Sequence, residues 1–150
     1  MINDKEYEMS DLDIAKTTLK TEKLSLVIVK NGQIIYKSDK RGIYPLYMAV
    51  KENGSRLEGA TAADKVIGRG AAQLYRFAKV KSIYAYMISE GTKEVFDESR
   101  ITYETEITVP FIKNREGTGM CPVETLSYEA KTFEELILSM EGFLKRINLL

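Results

Sequence analysis

The stretch LSLVIVKNGQIIYKS, from Leu24 to Ser38, constrains the fold more than any other part of the chain. Asn31–Gly32 between two apolar arms predicts a two-residue hairpin turn, because both central positions of such a turn need positive φ. The first arm, Leu26 to Val29, is apolar on successive residues, the pattern of a strand buried on both faces. The second arm, Ile34 to Lys37, is shorter and reads as an edge strand.

Around this hairpin the chain alternates helical and extended patterns. SDLDIAKTTL predicts an opening helix, with Ser10 and Asp13 spaced as a capping box and Leu12, Ala15 and Leu19 at helical intervals. SDKRGIYPLYMAVKENG reads as a basic turn followed by a short helix. GATAADKVIGRGAAQLYRFA predicts a longer one: Thr61 and Asp64 have capping-box spacing, and Val66, Ile67, Gly70, Ala71, Leu74 and Ala78 share a face. Gly68, Gly70, Ala71 and Ala72 would let that helix lie close against a sheet, offsetting the roughly 1 kcal/mol each glycine costs a helix.

SIYAYMIS then reads as a buried strand, GTKEVFDESR as a short helix, and TYETEITVPF as a strand with glutamates on one face. A polar loop runs from Lys113 to Met120. Helices are expected from Cys121 and from Thr132, the last with a stripe of Phe133, Leu136, Ile137, Met140, Leu144 and Ile147. Strands that alternate with helices pair in parallel through right-handed crossovers. The expectation is a single three-layer α/β/α domain with a mixed four-stranded sheet and an N-terminal hairpin.

Composition narrows the functions. The 22 Lys and Arg balance the 22 Asp and Glu, so no global field recruits nucleic acid or an anionic membrane. One cysteine in 150 residues excludes an internal disulfide and suits a reducing compartment. The start, MINDKEYEMSD, has neither the basic region nor the apolar stretch of a signal peptide, and no apolar run nears the roughly 20 residues that span a bilayer. A soluble, cytoplasmic protein is expected. Histidine is absent, which removes the commonest metal ligand and the usual neutral-pH general base. No cofactor is implied, and a zinc site would have to be built largely from carboxylates, an unusual donor set.

The predicted topology gathers helix starts on one sheet edge. A helix connecting two parallel strands runs opposite to both, so the helices expected at Thr61, Thr92 and Cys121 direct their N-termini to the strands' C-terminal side. Ligands of open α/β sheets bind on that side, and unpaired helix N–H groups attract anions there. Cys121, ahead of Pro122, is a thiol with a lowered pKa at a helix start, an N-cap residue with Pro122 as first helical residue and Glu124 as capping-box acid, or simply a small buried hydrophobe. Asp64 reads as a cap or a ligand-orienting acid. Lys65, a cation in a first turn, implies a neighbouring acid or a bound anion. Glu90 and Thr92 stand at the edge after the buried strand. Asn114, Arg115 and Thr118 supply donors on the long loop, and Arg41 sits in a tight turn facing either phosphate or water.

The segments RGIYPL, GATAADKVIGRGAAQLY and NREGTGMCPVE resemble a family of small bacterial and archaeal proteins of unknown function, assigned to the cytidine deaminase-like fold. The resemblance runs from about the first helix to the last and implies that fold. Zinc deaminases place a His- or Cys-containing motif with a glutamate at the start of the helix before the third strand, and a proline with two cysteines after that strand. Read against SIYAYMIS as third strand, those positions hold ATAADK and SEGTKE, without ligands. Asp64 stands near the glutamate's place, and Cys121 falls one helix–strand unit too late. Zinc-dependent deamination needs a metal-activated water and is therefore excluded.

Two functions remain open at this level. One is a site for an anionic, nucleotide-like small molecule, oriented by Asp64 and Lys65, held by Arg115 and helix N–H groups, with Cys121 as nucleophile or thiol carrier and Glu124 as proton acceptor. The other is a non-catalytic binding or regulatory module, with the arm Ile34–Lys37 or the last helix as partner surface or homodimer seam.

Overall fold

A computed structural model describes residues 9–150; most of the N-terminal stretch read for a leader lies outside them. Helix α1 (Asp11–Thr21) opens on Ser10, whose side chain accepts the Asp13 N–H. Strands β1 (Leu26–Lys30) and β2 (Gln33–Ser38) form the expected hairpin. Its turn has φ of 52° at Asn31 and 79° at Gly32. The Asp11 carboxylate accepts the N–H groups of both turn residues, at 3.0 and 2.8 Å. One acid therefore ties the start of α1 to the hairpin tip.

Helix α2 (Tyr44–Asn53) and a short 3-10 turn (Gly54–Leu57) lead into β3 (Thr61–Ile67). There follow α3 (Arg69–Ala78), β4 (Ser82–Ser89), α4 (Glu90–Asp97), β5 (Thr102–Val109), α5 (Pro122–Glu129) and α6 (Phe133–Arg146). The sheet has five strands in the order β2-β1-β3-β4-β5. Strand β1 is antiparallel to both neighbours, while β3, β4 and β5 are parallel.

The expected helix from Thr61 is thus a strand for its first seven residues, and this adds the fifth strand. Its T-x-x-D spacing mimics a cap, yet tertiary packing overrides the local preference. Thr61, Ala62 and Ala63 are essentially inaccessible, sandwiched at the centre of the sheet. Ala63 packs under α1 with Val27, Val29 and Tyr84, and Ala62 belongs to the main core on the opposite face. Small side chains suit a strand pressed by helices from both sides. Gly68 ends the strand in extended backbone, and α3 begins at Arg69.

Helix α1 covers one face of the sheet. Helices α2, α3 and α4 cover the other, with α5 and α6 packed against α3. Leu136, Met140 and Leu144 of α6 are fully buried, whereas Ile147 lies beyond the helix end and is exposed. The glycines of α3 serve a different contact from the one expected. A Cβ on Gly70 would stand 2.9 Å from Val123 Cγ1 and 3.2 Å from the Val123 carbonyl oxygen, so the close approach is to α5 rather than the sheet. Because backbone is among the obstacles, Gly70→Ala should lower unfolding stability by about 1–3 kcal/mol in a denaturant titration. A neutral result would mean that α5 can recede freely.

Candidate functional site

Strand β2 is antiparallel to β1, and so is β3; hence β2 to β5, leaving out β1, all run one way. The helices that follow β2, β3 and β4 therefore start at the same edge of the sheet. The convergence expected from the sequence is present, with α3 contributing Arg69 in place of Thr61. Among the described residues, no helix is long and apolar enough to cross a membrane, and no group of three or more His, Cys, Asp or Glu is placed to hold a metal.

Glu124 organises this edge. It is the third residue of α5 and only 2% exposed. Its Oε1 accepts the Arg69 N–H at 3.2 Å, and its Oε2 accepts the Ile112 N–H. A carboxylate from one helix thus caps another and pins the loop after β5. The sequence reading gave Glu124 to its own helix as a capping-box acid; the structure gives it to α3. With each oxygen accepting one backbone N–H from a different segment, the carboxylate acts as a clasp between α3 and the loop after β5.

Cys121 takes the N-cap position of α5, and its side chain makes no capping bond. Its N–H donates to the Ile112 carbonyl at 2.7 Å, and its carbonyl accepts the Thr125 N–H at 3.0 Å. The residue is half-buried and packs against the main core. The loop before it closes on itself: Thr118 N–H donates to Asn114 Oδ1 at 3.0 Å, and Asn114 Nδ2 donates to the Thr118 hydroxyl at 3.2 Å. Those two candidate donors are spent on the loop, while Arg115 is exposed. Arg41 is exposed in the turn before α2.

Asp64 and Lys65 lie on opposite faces of β3. On a strand, consecutive side chains point to opposite faces, and Lys65 is exposed while Asp64 turns under α3. Asp64 Oδ2 accepts from the Tyr75 hydroxyl at 2.6 Å, and Oδ1 from the Val66 N–H at 3.3 Å. Burial pushes the carboxyl up from 3.8 to about 7, against the hydrogen bonds from Tyr75, Val66 and Lys65 that favour its charged form. Burial also pushes the Tyr75 phenol well above its ordinary value, with the Asp64 charge adding to it. The pair joins α3 to β3 inside the protein. Thr92 is likewise internal: it is 0% exposed, its hydroxyl donates to the Ile67 carbonyl at 2.6 Å, and its N–H donates to Ser89 Oγ at 3.1 Å. Glu90 opens α4 and is exposed.

The feature that sequence reasoning passed over is Arg69. Its Nη1 donates to the Ser127 carbonyl at 2.6 Å. Its guanidinium carbon stands 4.3 Å from the centre of the Tyr128 ring, a cation–π stack. Its Nε is buried and has no hydrogen-bond partner among the described residues. A Cβ on Gly91 would lie 2.6 Å from the Tyr128 hydroxyl and 3.0 Å from Arg69 Cδ, so α4 must present a glycine here. Residues from α3, α4 and α5 meet around one arginine. The signal available beforehand was Gly68-Arg69-Gly70, a long charged side chain between two residues that have none.

Two surface grooves lie at the opposite edge. One, of about 250 Å³, lies among residues that include Val50, Phe77, Lys79 and Phe133. The other, of about 340 Å³, is lined by Lys30, Asn31, Gln33, Ile35 and Arg56. Ile35 of the second belongs to the arm Ile34–Lys37 read from the sequence as a partner surface, and neither groove includes a residue read as part of the anion site.

The positions that carry zinc ligands in deaminases also move. With β3 as third strand, the helix before it is α2 and the helix after it is α3, one unit earlier than the sequence reading placed them. Their starts read RGIYPLY and GRGAAQL, again without histidine or cysteine. The missing donor set is a property of the right positions too, and the chain does not fit a deaminase zinc ion.

Comparison with known proteins agrees with this geometry. A DUF1893 family protein from Thermotoga maritima, known from its crystal structure, is similar over 91% of this chain and 92% of its own, with 27% identity and a TM-score of 0.79. The apo dCMP deaminase of cyanophage S-TIM5 is similar over 65% of this chain and 99% of its own, at 16% identity and a TM-score of 0.50, a likeness of fold alone. No curated protein matches the chain in sequence. The family model for DUF1893, a domain of unknown function, matches residues 14–144. That match covers most of the chain, and the protein with this five-stranded mixed sheet belongs to the DUF1893 family.

Proposed function

We propose that this protein binds a small anionic molecule at the sheet edge where α3, α4 and α5 meet, and that it does so without zinc-dependent deamination. One observation carries the reading: Arg69 is fixed by Ser127 and Tyr128, yet keeps a buried Nε with no partner among the described residues. A buried donor without an acceptor costs about 1–3 kcal/mol, a cost that a bound anion would remove. Helix starts at the same edge add partial positive charge. The centre of the site is Arg69, with Arg115 and Arg41 as outlying cations, rather than Asp64 and Lys65.

Binding is favoured over catalysis by what the candidate acids do. Glu124 is committed to two backbone donors, and Asp64 is held beneath α3 by Tyr75. Neither is free to shuttle a proton at the edge. A nucleotide-like ligand fits the charge requirement, and deaminase-like structures lend it only the likeness of fold.

Thermal shift measurements test the reading. Inorganic phosphate, acetate, citrate and nucleoside monophosphates are to be titrated against the wild type and Arg69→Gln, with zinc as a separate arm. At least one anion should raise the wild-type Tm in a concentration-dependent way, as expected for a ligand that binds only the native state. Arg69→Gln should lose that rise. Equal rises in both proteins would place the anion elsewhere.

A further inference from the structure

We propose that the groove between the hairpin tip and the 3-10 turn is a second ligand site, and that it takes a small sugar phosphate. The groove lies at the edge opposite Arg69, and the inference does not depend on the reading above. Its volume of about 340 Å³ is at the lower end of small-molecule sites, which run from roughly 300 to 1,000 Å³. Lys30, Asn31, Gln33 and Ile35 line it from the hairpin, and Arg56 lines it from the 3-10 turn.

The backbone holds these side chains in place. The Asp11 carboxylate accepts both turn N–H groups, so the turn is satisfied without the Asn31 side chain. Val29 pairs with Ile34 and Ile28 with Tyr36, which makes Ile35 the extra residue of a bulge. Bulges re-aim a side chain, and this one sets Ile35 against both the groove and the main core. Lys30 Nζ donates to the Arg56 carbonyl at 3.1 Å, and Arg56 Nη1 donates to Asn53 Oδ1 at 3.4 Å. The hairpin and the 3-10 turn are thereby tied together across the groove.

Charge and hydrogen-bonding capacity select the ligand. Two cations share the groove, and among the described residues neither forms an ion pair. The neighbouring acids are placed elsewhere. Asp11 is engaged at the turn, Glu58 lines the other groove, Glu52 lies near Tyr36, and none of them lines this groove. Lys30 and Arg56 each keep further N–H donors beyond the bonds described, and a phosphate accepts from both. The Asn31 and Gln33 carboxamides can each donate and accept, as the hydroxyl groups of a sugar require. Ile35 adds an apolar floor for the carbon face of the sugar. A bare phosphate would meet the two cations and leave the rest of the groove to water.

The test records backbone amide NMR spectra during titration with ribose 5-phosphate, inorganic phosphate and ribose, each alone, at neutral pH. Wild type, Lys30→Gln, Arg56→Gln and the remote control Lys145→Gln are compared, and the same spectra report whether each variant keeps the fold. Ribose 5-phosphate should saturate the wild type, with its largest shifts at Asn31, Gln33, Ile35 and Arg56. Inorganic phosphate should bind about fivefold more weakly, and ribose should not saturate. Lys30→Gln and Arg56→Gln should each weaken ribose 5-phosphate about tenfold, the loss expected for a charge-assisted hydrogen bond. Lys145→Gln should match the wild type. Ribose 5-phosphate and phosphate binding equally well would overturn the sugar specificity. No saturation, largest shifts elsewhere, or unchanged affinity in a folded Arg56→Gln would overturn the site itself.

Discussion

Glu124→Ala will lower the unfolding free energy by about 3–5 kcal/mol, measured by denaturant titration. The variant leaves the Arg69 and Ile112 N–H groups without their acceptor, at about 1–3 kcal/mol each, and opens a cavity in a nearly inaccessible place. Glu124→Gln should retain about half of the lost stability. A carboxamide has one oxygen to accept one N–H, and its NH2 must face the other. The pair of variants separates hydrogen bonding from packing, because Gln fills the same volume. If both variants cost the same, shape alone holds the edge. If neither costs more than about 1 kcal/mol, the clasp is not a structural element. The effect also reaches function, since Glu124 sets where α3 begins and hence where the Arg69 side chain starts.

Asp64→Asn will stabilise the protein above neutral pH and abolish a pH dependence that the wild type shows. The carboxyl titrates at 3.8 when unfolded and at about 7 when folded. A raised folded value means that the native state holds the proton more tightly. The favourable contribution is complete below pH 4 and is lost as pH rises toward 7. Between those limits the wild type should lose about 2–4 kcal/mol relative to Asp64→Asn, the lower figure allowing for the solvent contact Asp64 retains. Asparagine keeps an oxygen for the Val66 N–H and offers its NH2 to the Tyr75 oxygen, so the join between β3 and α3 survives. A constant difference between the two proteins from pH 4 to 8 would show that Asp64 titrates normally. A proton-dependent join of this kind also accounts for an acid where the sequence suggested a catalytic or ligand-orienting role: it faces inward, beneath the second turn of the helix whose start carries Arg69.

The sequence made the hairpin at Asn31–Gly32, the buried strand from Ser82, the capped first helix and the gathering of helix starts legible, because each depends on local periodicity or turn chemistry. It hid β3. Ala62 and Ala63 are small because two helical layers press on them, and alanine in sequence looks the same whether it favours a helix or fills a narrow gap. That single exchange moved every deaminase-equivalent position by one unit and placed Asp64 at a helix start instead of on a strand.

For the proposed site the sequence pointed only to a sheet edge. Glu124, Cys121 and the glycines around Arg69 were in view, but the partner of Glu124 is 55 residues away in sequence and cannot be read from spacing. Arg69 escaped notice because a charged residue within a supposed helix is assigned to solvent by default. Its stack on Tyr128 and its bond to the Ser127 carbonyl come from α5, which approaches only because Gly70 admits Val123.

The central claim is that the edge around Arg69 receives an anion. A crystal structure of the protein grown in acetate, at neutral pH, tests it most directly. The account predicts an ordered acetate within hydrogen-bonding distance of the Arg69 side chain. No anion at Arg69, with ordered anions only in the groove beside Phe77 and Phe133 or near Lys65, would contradict it.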